Sequence, residues 1–586
     1  MNASNRRLHF GANLIEAGRT QFRIWAPAQR SLALAVAGRS PLPMRRHDDG
    51  WFEIETDCGA DTRYRYVLDD GTKVSDPAAR AQAGGVHGDS VVVDPASYRW
   101  RSTDWRGRPW REAVIYELHV GLLGGFKGVA AELPRLVALG VTAVELMPIA
   151  EFPGARNWGY DGVLPFAPEA SYGSPDELKA LIDAAHQHGL MVFLDVVYNH
   201  FGPDGNYLHL YAPQMFRDDV ATPWGPAIDF RRNEVRRFFV ENALYWLIEY
   251  RFDGLRFDAV HAIGDPDWFD EMAAEVRRSV GLGRHVHLVL ENDDNTARHL
   301  AGDFDAQWND DGHHVLHVLL TGEHEGYYAD YAEAPAARLA RCLKDGFIYQ
   351  GEPSVYRDGK KRGTPSAALP PAAFVLFLQN HDQVGNRAFG ERLTTLVRAE
   401  ALEAAIALQL LCPQIPLVFM GEDQACRSPF LFFTDHNPDL AQAVREGRRR
   451  EFAGFAQFSD PRKLTQIPDP NAPETFERSR SAPDLADAEK RENLYRHLLS
   501  IRRSEIVPRL DGARALEANA VGPAAVLARW RMGDGAVLVL ASNLAGEAAA
   551  IPSQRHRLLF SSSDAAAGAV QTGRLEPYST VALLAL

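Results

Sequence analysis

A chain of 586 residues is longer than one hydrophobic core ordinarily organises, and 46% apolar with 24% charged residues is a globular composition, neither disordered nor fibrous. The net charge of −14 argues against nucleic acid, because nothing in such a balance neutralises a phosphate backbone. Four dispersed cysteines, Cys58, Cys342, Cys412 and Cys426, lack the spacing of a zinc site or a disulfide framework and point to a reducing, cytoplasmic setting.

The opening MNASNRRLHF lacks the apolar core of a signal peptide, and no run of about 18 apolar residues follows, so an unexported protein without a membrane partner is expected. From residue 8 to about 100 the chain reads as short strands: FRIWAP from Phe22, the alternation Leu32, Leu34, Val36, then Tyr64, Tyr66, Leu68 before the turn Asp69-Asp70-Gly71. These predict a small β-sandwich. The stretch from Tyr98 to Trp110, polar and aromatic without periodicity, marks its end.

From Ala113 the texture changes to short, nearly continuous apolar runs alternating with helical patterns, the pattern of strands buried on both faces of a parallel sheet. Eight runs start at Ala113, Ala143, Met191, Gly254, His287, Phe304, Phe374 and Pro416. In SPDELKALIDAAHQHG, Ser174 caps, Pro175 opens the helix, Glu177 completes a capping box and Gly189 stops it. In NEVRRFFVENALYWLIEYR, the residues Val235, Phe238, Phe239, Ala243, Trp246, Leu247 and Tyr250 share one face. Eight strands alternating with helices predict an α/β fold with a (β/α)8 TIM-type barrel, a doubly wound sheet being the alternative. The basic run Arg448 to Arg450 reads as a solvated patch.

A proline-containing stretch from Ser459 to about Lys490 precedes a last helix, NLYRHLLSIRRS, and the remainder is strand-rich, with a hairpin signal at Gly533-Asp534-Gly535. The expected organisation is a sandwich resembling a carbohydrate-binding module over 1–104, a barrel with loop insertions over 105–508 and a small C-terminal β domain over 509–586.

Four segments place ionisable residues directly after buried strands, where an unpartnered charge is costly: DVVYNH (Asp195 to His200), GLRFDAVH (Gly254 to His261), LVLEND (Leu288 to Asp293) and QNHDQVGN (Gln379 to Asn386). Singly, each has a structural reading: Asp258 as a salt-bridge partner of Arg256, Glu291 as a loop residue, Asp382 as part of a turn. Jointly they converge on one rim of one barrel. Glycoside cleavage needs one carboxyl group to protonate the leaving oxygen and a second to attack the anomeric centre. Arg256, two residues before Asp258 on the same strand, shares its face and favours its ionised form, which leaves Glu291 as the acid.

The four segments, in order and type, resemble the conserved regions of the α-amylase superfamily, glycoside hydrolase family 13. That resemblance implies Asp258 as nucleophile, Glu291 as acid/base and Asp382 as transition-state stabiliser. It further implies that His200, Arg256 and His381 surround the sugar whose bond breaks, with Tyr160 of NWGYD stacked on it and Asp161 alongside, the bland reading of Tyr160 being an aromatic cap over the barrel. Gln383 and Asn386 are further substrate-binding candidates from the same rim.

YELHVG from Tyr116, QNHDQVGNRAFGERL from Gln379, SPFLFFTDH from Ser428, AVREGRRREFAGF from Ala443 and QIPDPNAPETFERS from Gln466 narrow the resemblance to the trehalose-releasing hydrolases of that superfamily. It then implies cleavage of the α-1,4 bond next to the terminal trehalosyl unit of maltooligosyltrehalose, downstream of an enzyme that forms that substrate. Candidates for recognising the 1,1 linkage are His261, Asp293, Asp294, Asp310, Asp311, His313 and His314. A branching transferase and a non-catalytic glucan-binding protein are the alternatives. The loop GLLGGFKG after the first barrel strand is shorter than the resemblance implies, and a more open rim is expected there.

No cofactor and no required metal are expected. His313 and His317 are four apart on a helix, but no HExxH glutamate accompanies them. His186 and His188 suit a helix C-terminus without a ligand. Asn199 stands where many α-amylases bind calcium, yet the stretch from Phe201 to Asp229 is short for such a cage.

Overall fold

The computed structural model describes residues 7–222, 225–281, 283–455, 458 and 460–585. Residues 1–6, which open the segment read for a signal peptide, and Ser459, where the proline-containing stretch begins, lie outside the described residues.

Eight parallel strands close a barrel in sequence order: β1 (Ile115–Leu118), β2 (Ala143–Leu146), β3 (Met191–Val196), β4 (Gly254–Phe257), β5 (His287–Leu290), β6 (Ala306–Trp308), β7 (Phe374–Phe377) and β8 (Ile415–Phe419). Each of the eight apolar runs supplies one strand, and closure excludes the doubly wound alternative. The strands are buried on both faces because helices cover the outside while their own side chains fill the inside. Ile115, Met191, Phe193, Val289, Phe377 and Leu417 belong to that inner cluster. Gly254 has a packing reason: a Cβ there would lie 2.7 Å from the Phe193 ring.

Register carries the chemistry. Pairing of β1 with β2 sets Glu117 beside Glu145, and pairing of β3 with β4 sets Asp195 beside Arg256. In-register residues of parallel neighbours face the same side, so four charged groups meet at the barrel's C-terminal mouth.

Helix α1 (Pro175–Gln187) has the predicted Ser174 cap and the reciprocal Glu177 bond. Its His186 does more than favour a helix dipole: it is buried, 2.8 Å from Asp253, and stacked on Trp105. Helix α2 (Asn233–Leu244) buries the predicted face, then widens into a π turn over Tyr245–Glu249, and helix α3 (Asp310–Thr321) follows β6.

The N-terminal strands form two antiparallel sheets. Phe22 of one packs on Tyr64 of the other at 4.7 Å between ring centroids, as in a sandwich. Phe10 meets Phe238 of α2 at 5.0 Å, which seats this unit on the barrel. At the other end, strands Arg514–Gly522, Ala525–Arg531, Val537–Asn543, Ser579–Ala585 and Arg557–Ser561 make one antiparallel sheet in that spatial order. The Gly533-Asp534-Gly535 turn joins the second to the third, with Gly535 at φ 91°. A helix over Asp564–Gln571, capped by Ser563, interrupts the stretch that the sequence reads as strand-rich. Trp530 donates from Nε1 to Leu343 O at 3.1 Å, anchoring this sheet to the barrel. Among the described residues no helix is long and apolar enough to cross a membrane.

Candidate active site

Arg256 is the hub. Its guanidinium is fully buried, and its Nη1 donates to Asp195 at 2.7 and 2.9 Å and to Asp258 Oδ1 at 2.8 Å, while Nη2 donates to Glu291 Oε2 at 2.9 Å. Beneath it lies the Trp308 ring, 4.1 Å from guanidinium carbon to ring centroid, a face that attracts the cation. A buried cation with three carboxyl partners and an aromatic floor has one orientation.

Asp258 and Glu291 follow β4 and β5 directly. Asp258 Oδ2 accepts from Asn199 Nδ2 at 3.2 Å. Glu291 Oε2 accepts a second bond from the Ala259 backbone N–H at 2.7 Å, which leaves Oε1 as the oxygen to carry a proton. Ala259 has φ 41°, ψ 50°, a left-handed conformation that a non-glycine residue rarely adopts. Burial pushes Glu291 well above the usual carboxylate range; Arg256 opposes this, and Asp258, Asp382 and Asp310 add to it. Asp195 is pushed up to about 6, mainly by burial, with Arg256 opposing.

Asp382 sits on α4 (His381–Gly385), which begins after β7 and is capped by Asn380 through the Gln383 N–H at 3.0 Å. Asn386 Nδ2 donates to Asp382 Oδ1 at 3.0 Å. His381 stands 2.5 Å from Glu117 through Nδ1; burial opposes its charge, but Glu117 and Asp382 win and push it up to about 9. Arg448, read as part of a solvated patch, is instead buried and donates to Gly385 O at 2.8 Å; the helix Pro438–Phe452 turns this one arginine of the run inward, bracing α4.

Tyr160 donates to Asp195 at 2.6 Å and stacks on His381 with 5.1 Å between centroids. His200 is close to Tyr160 O at 2.9 Å and to Asn199 Oδ1 at 2.7 Å. Asp161 accepts from Asn157 at 2.6 Å and faces His436 at 3.4 Å; although burial opposes it, these partners lower its pKa.

A cavity of about 210 Å³ opens beside Glu291 and Asp382, and of the other sequence candidates Asp293, Asp310, His314, Gln383 and Asn386 line it, whereas Asp258, Arg256, Tyr160, Asp161, His200 and His381 lie off its wall. Asp310 is pushed up to about 7 by burial and by Asp293, Asp382 and Asp311, with Arg362 opposing. Asp293 is held by Arg357 and by Arg362, the latter at 2.8 Å; Asp294 pairs with Arg357 at 2.8 Å, and His261 Nδ1 accepts from the Asp293 N–H at 3.3 Å. Asp311 and His313 are not on the wall. Asp311 is spent on Tyr331, Asn295 and the N–H groups of Ile348 and Tyr349, and His313 on Leu378 O and Tyr328, so both brace the loops behind the cavity. His317 bonds Glu323 at 2.7 Å.

Sequence reading missed Glu117, Glu145, Asp195, Trp308, Tyr327, Tyr331 and Arg362. Asp195 and Glu117 did carry a signal, an acid within an apolar strand. Glu145 is 1% exposed with neither carboxylate oxygen hydrogen-bonded within the protein, and burial, with Glu117 and Asp195 nearby, pushes it well above its ordinary range. Among the described residues no group of three His, Cys, Asp or Glu side chains is disposed to hold a metal ion.

Comparison with known proteins matches residues 95–212 to the family described as alpha amylase, catalytic domain, and residues 513–582 to a domain of unknown function. A malto-oligosyltrehalose trehalohydrolase of Deinococcus radiodurans is 42% identical over 520 residues, 86% of this chain and 84% of that protein. One from Saccharolobus solfataricus is 44% identical, covering 75% of this chain and 80% of that one. A crystal structure provisionally assigned as an alpha amylase from Salmonella typhimurium superposes with a TM-score of 0.93 at 44% identity, covering 99% of this chain and 100% of that one. A 1,4-alpha-glucan branching enzyme of Pseudoalteromonas atlantica matches at 34% identity over only 46% of this chain and 42% of its own length.

Proposed function

Because the chain belongs to the malto-oligosyltrehalose trehalohydrolase family, we propose that it cleaves the α-1,4 bond next to the terminal trehalosyl unit of maltooligosyltrehalose, releasing trehalose. The observation that carries the mechanism is Arg256 holding Asp258 and Glu291 on its two terminal nitrogens. Two carboxyls gripped by one guanidinium are near neighbours, which supports the short-spacing arrangement of retaining glycosidases.

Asp258, ion-paired and accepting from Asn199, attacks the anomeric carbon. Glu291, protonated on Oε1 because burial disfavours its charge, gives that proton to the departing trehalose oxygen and then takes one from the water that releases the glycosyl-enzyme. Asp382 and charged His381 hold the hydroxyls of the distorting sugar, while Tyr160 and His200 wall it. Asp293, Asp310, His314, Gln383 and Asn386 receive the leaving disaccharide, with Asp294 and His261 at their margin. The reading places the enzyme in the cytoplasm, acting on the product of a maltooligosyltrehalose-forming enzyme, and divides the chain into a sandwich to 104, a barrel to 508 and a C-terminal β domain.

Incubation with maltooligosyltrehalose and chromatography of the products is the test. Trehalose and a shorter maltooligosaccharide are expected; reducing sugars alone would sink the assignment, and new α-1,6 branches on amylose would replace it with the transferase.

A further inference from the structure

Beside the catalytic cavity lies a larger one, of about 480 Å³, and the two share Tyr327 and Asn386. Its volume falls in the range of small-ligand sites, about 300–1,000 Å³. Part of its wall is aromatic, with Tyr327, Phe452 and Phe455. Part is a preset polar lattice: Arg387 donates to both oxygens of Glu323, at 2.7 and 2.9 Å, and to Glu391 at 3.1 Å. Burial opposes the charge of Glu323, but His317 and Arg387 hold its carboxyl far below the usual range, so it stays ionised and accepting.

The chemistry of this wall selects its ligand. Glu323, Glu325, Glu391 and Glu451 outnumber Arg387 and the Arg448 that pairs with Glu451 at 3.0 Å, so the field disfavours anions, phosphorylated sugars included. Carboxylates accept hydroxyl donors, and aromatic faces take the apolar C–H faces of pyranose rings. A neutral sugar satisfies both.

We infer that this cavity is a second site for a neutral α-glucosyl disaccharide, adjoining the cleft from which one is released; the inference rests on the proposed function for the identity of that disaccharide. Its occupant touches Asn386, which donates to Asp382 at 3.0 Å, and Tyr327, whose hydroxyl donates to Gln383 at 3.4 Å. A disaccharide held there therefore shares Tyr327 and Asn386 with the cleft and sits one hydrogen bond from Asp382.

The test is calorimetric titration of the full chain carrying Glu291→Gln with trehalose, and separately with maltose, as probes. Two sites per chain are expected for at least one probe. Adding Phe455→Ala, or Glu325→Ala at an exposed position of the same wall, should abolish one site and leave the other unchanged, with melting curves confirming that each variant is folded. Fewer than two sites for both probes, or two sites indifferent to both substitutions, overturns the inference. Trehalose release by the unsubstituted chain is assayed separately, so failure of the proposed function is distinguishable from failure of the second site.

Discussion

His381 and Glu117 are bound twice, side chain to side chain at 2.5 Å and by the His381 backbone N–H to the same carboxylate at 3.1 Å. The pair joins β7 to β1 across the barrel mouth and keeps the imidazole charged up to about pH 9. A histidine raised in the folded state above its unfolded value, about 6.5, contributes stability fully below pH 6.5 and loses it as pH rises through 9. The difference in unfolding free energy between the native chain and Glu117→Gln, from denaturant melts, should be flat below pH 6.5 and shrink between 6.5 and 9. A difference constant across that window would show that His381 is not held charged by Glu117.

Asp258→Asn retains the shape of the side chain and removes the attacking carboxylate. Trehalose release should fall by about 10⁴-fold or more, as for an excised nucleophile. Retention of a tenth of native activity, measured as initial rate, would move the nucleophile elsewhere.

Asp310 supplies part of the negative field that keeps Glu291 protonated. It titrates at about 7, so above that pH it is charged and raises Glu291 further. Asp310→Asn removes that charge, lowers the Glu291 pKa and should move the alkaline limb of the kcat/KM profile to lower pH. An unmoved or upward-moving limb contradicts the coupling.

Gly385 closes α4 against Trp158, where an added Cβ would lie 2.1 and 2.2 Å from ring atoms. Trp158 cannot yield, because it is stacked on Phe430 at 5.3 Å and donates from Nε1 to Leu431 O at 2.9 Å. Gly385→Ala must therefore shift α4, and Asp382 with it. A kcat loss of about 10²-fold with a small change in KM, and about 1–3 kcal/mol of lost stability, are expected from kinetics and thermal melts. Unchanged kcat would show that Asp382 tolerates the displacement.

Asn199 occupies the position the sequence reading weighed for calcium, but its amide is committed, nitrogen to Asp258 and oxygen to His200. Trehalose release should survive exhaustive chelation. Loss that calcium restores would assign a metal role to this position.

The barrel was legible because a strand buried on both faces has a composition no solvated element shares, and β1 to β8 each came from such a run. Asp258 and Glu291 stood out as carboxyls directly after buried strands, where a charge is costly without a partner, while the role of Asp382 came from the resemblance of its segment to a family pattern. Glu117, Asp195 and Glu145 lie within apolar strands, where sequence does not show that register sets Glu117 beside Glu145 and Asp195 beside Arg256. The same limit misplaced Asp311 and His313: adjacent helix positions point different ways, so Asp310 and His314 face the cavity and their neighbours face the protein. The helix at Asp564–Gln571 had a signal in its Ser563 cap, but its alanine-rich interior has no contrast of apolar and polar faces to reveal it.

The left-handed turn at Ala259 costs of order 1–2 kcal/mol for a residue with a Cβ. That cost falls between the two carboxyls the chemistry needs, and it aims one N–H at Glu291 Oε2 so that the opposite oxygen alone is left to hold the proton. The barrel thus stores backbone tension where bonds are broken, and the most stable version of this chain would not be its most active one.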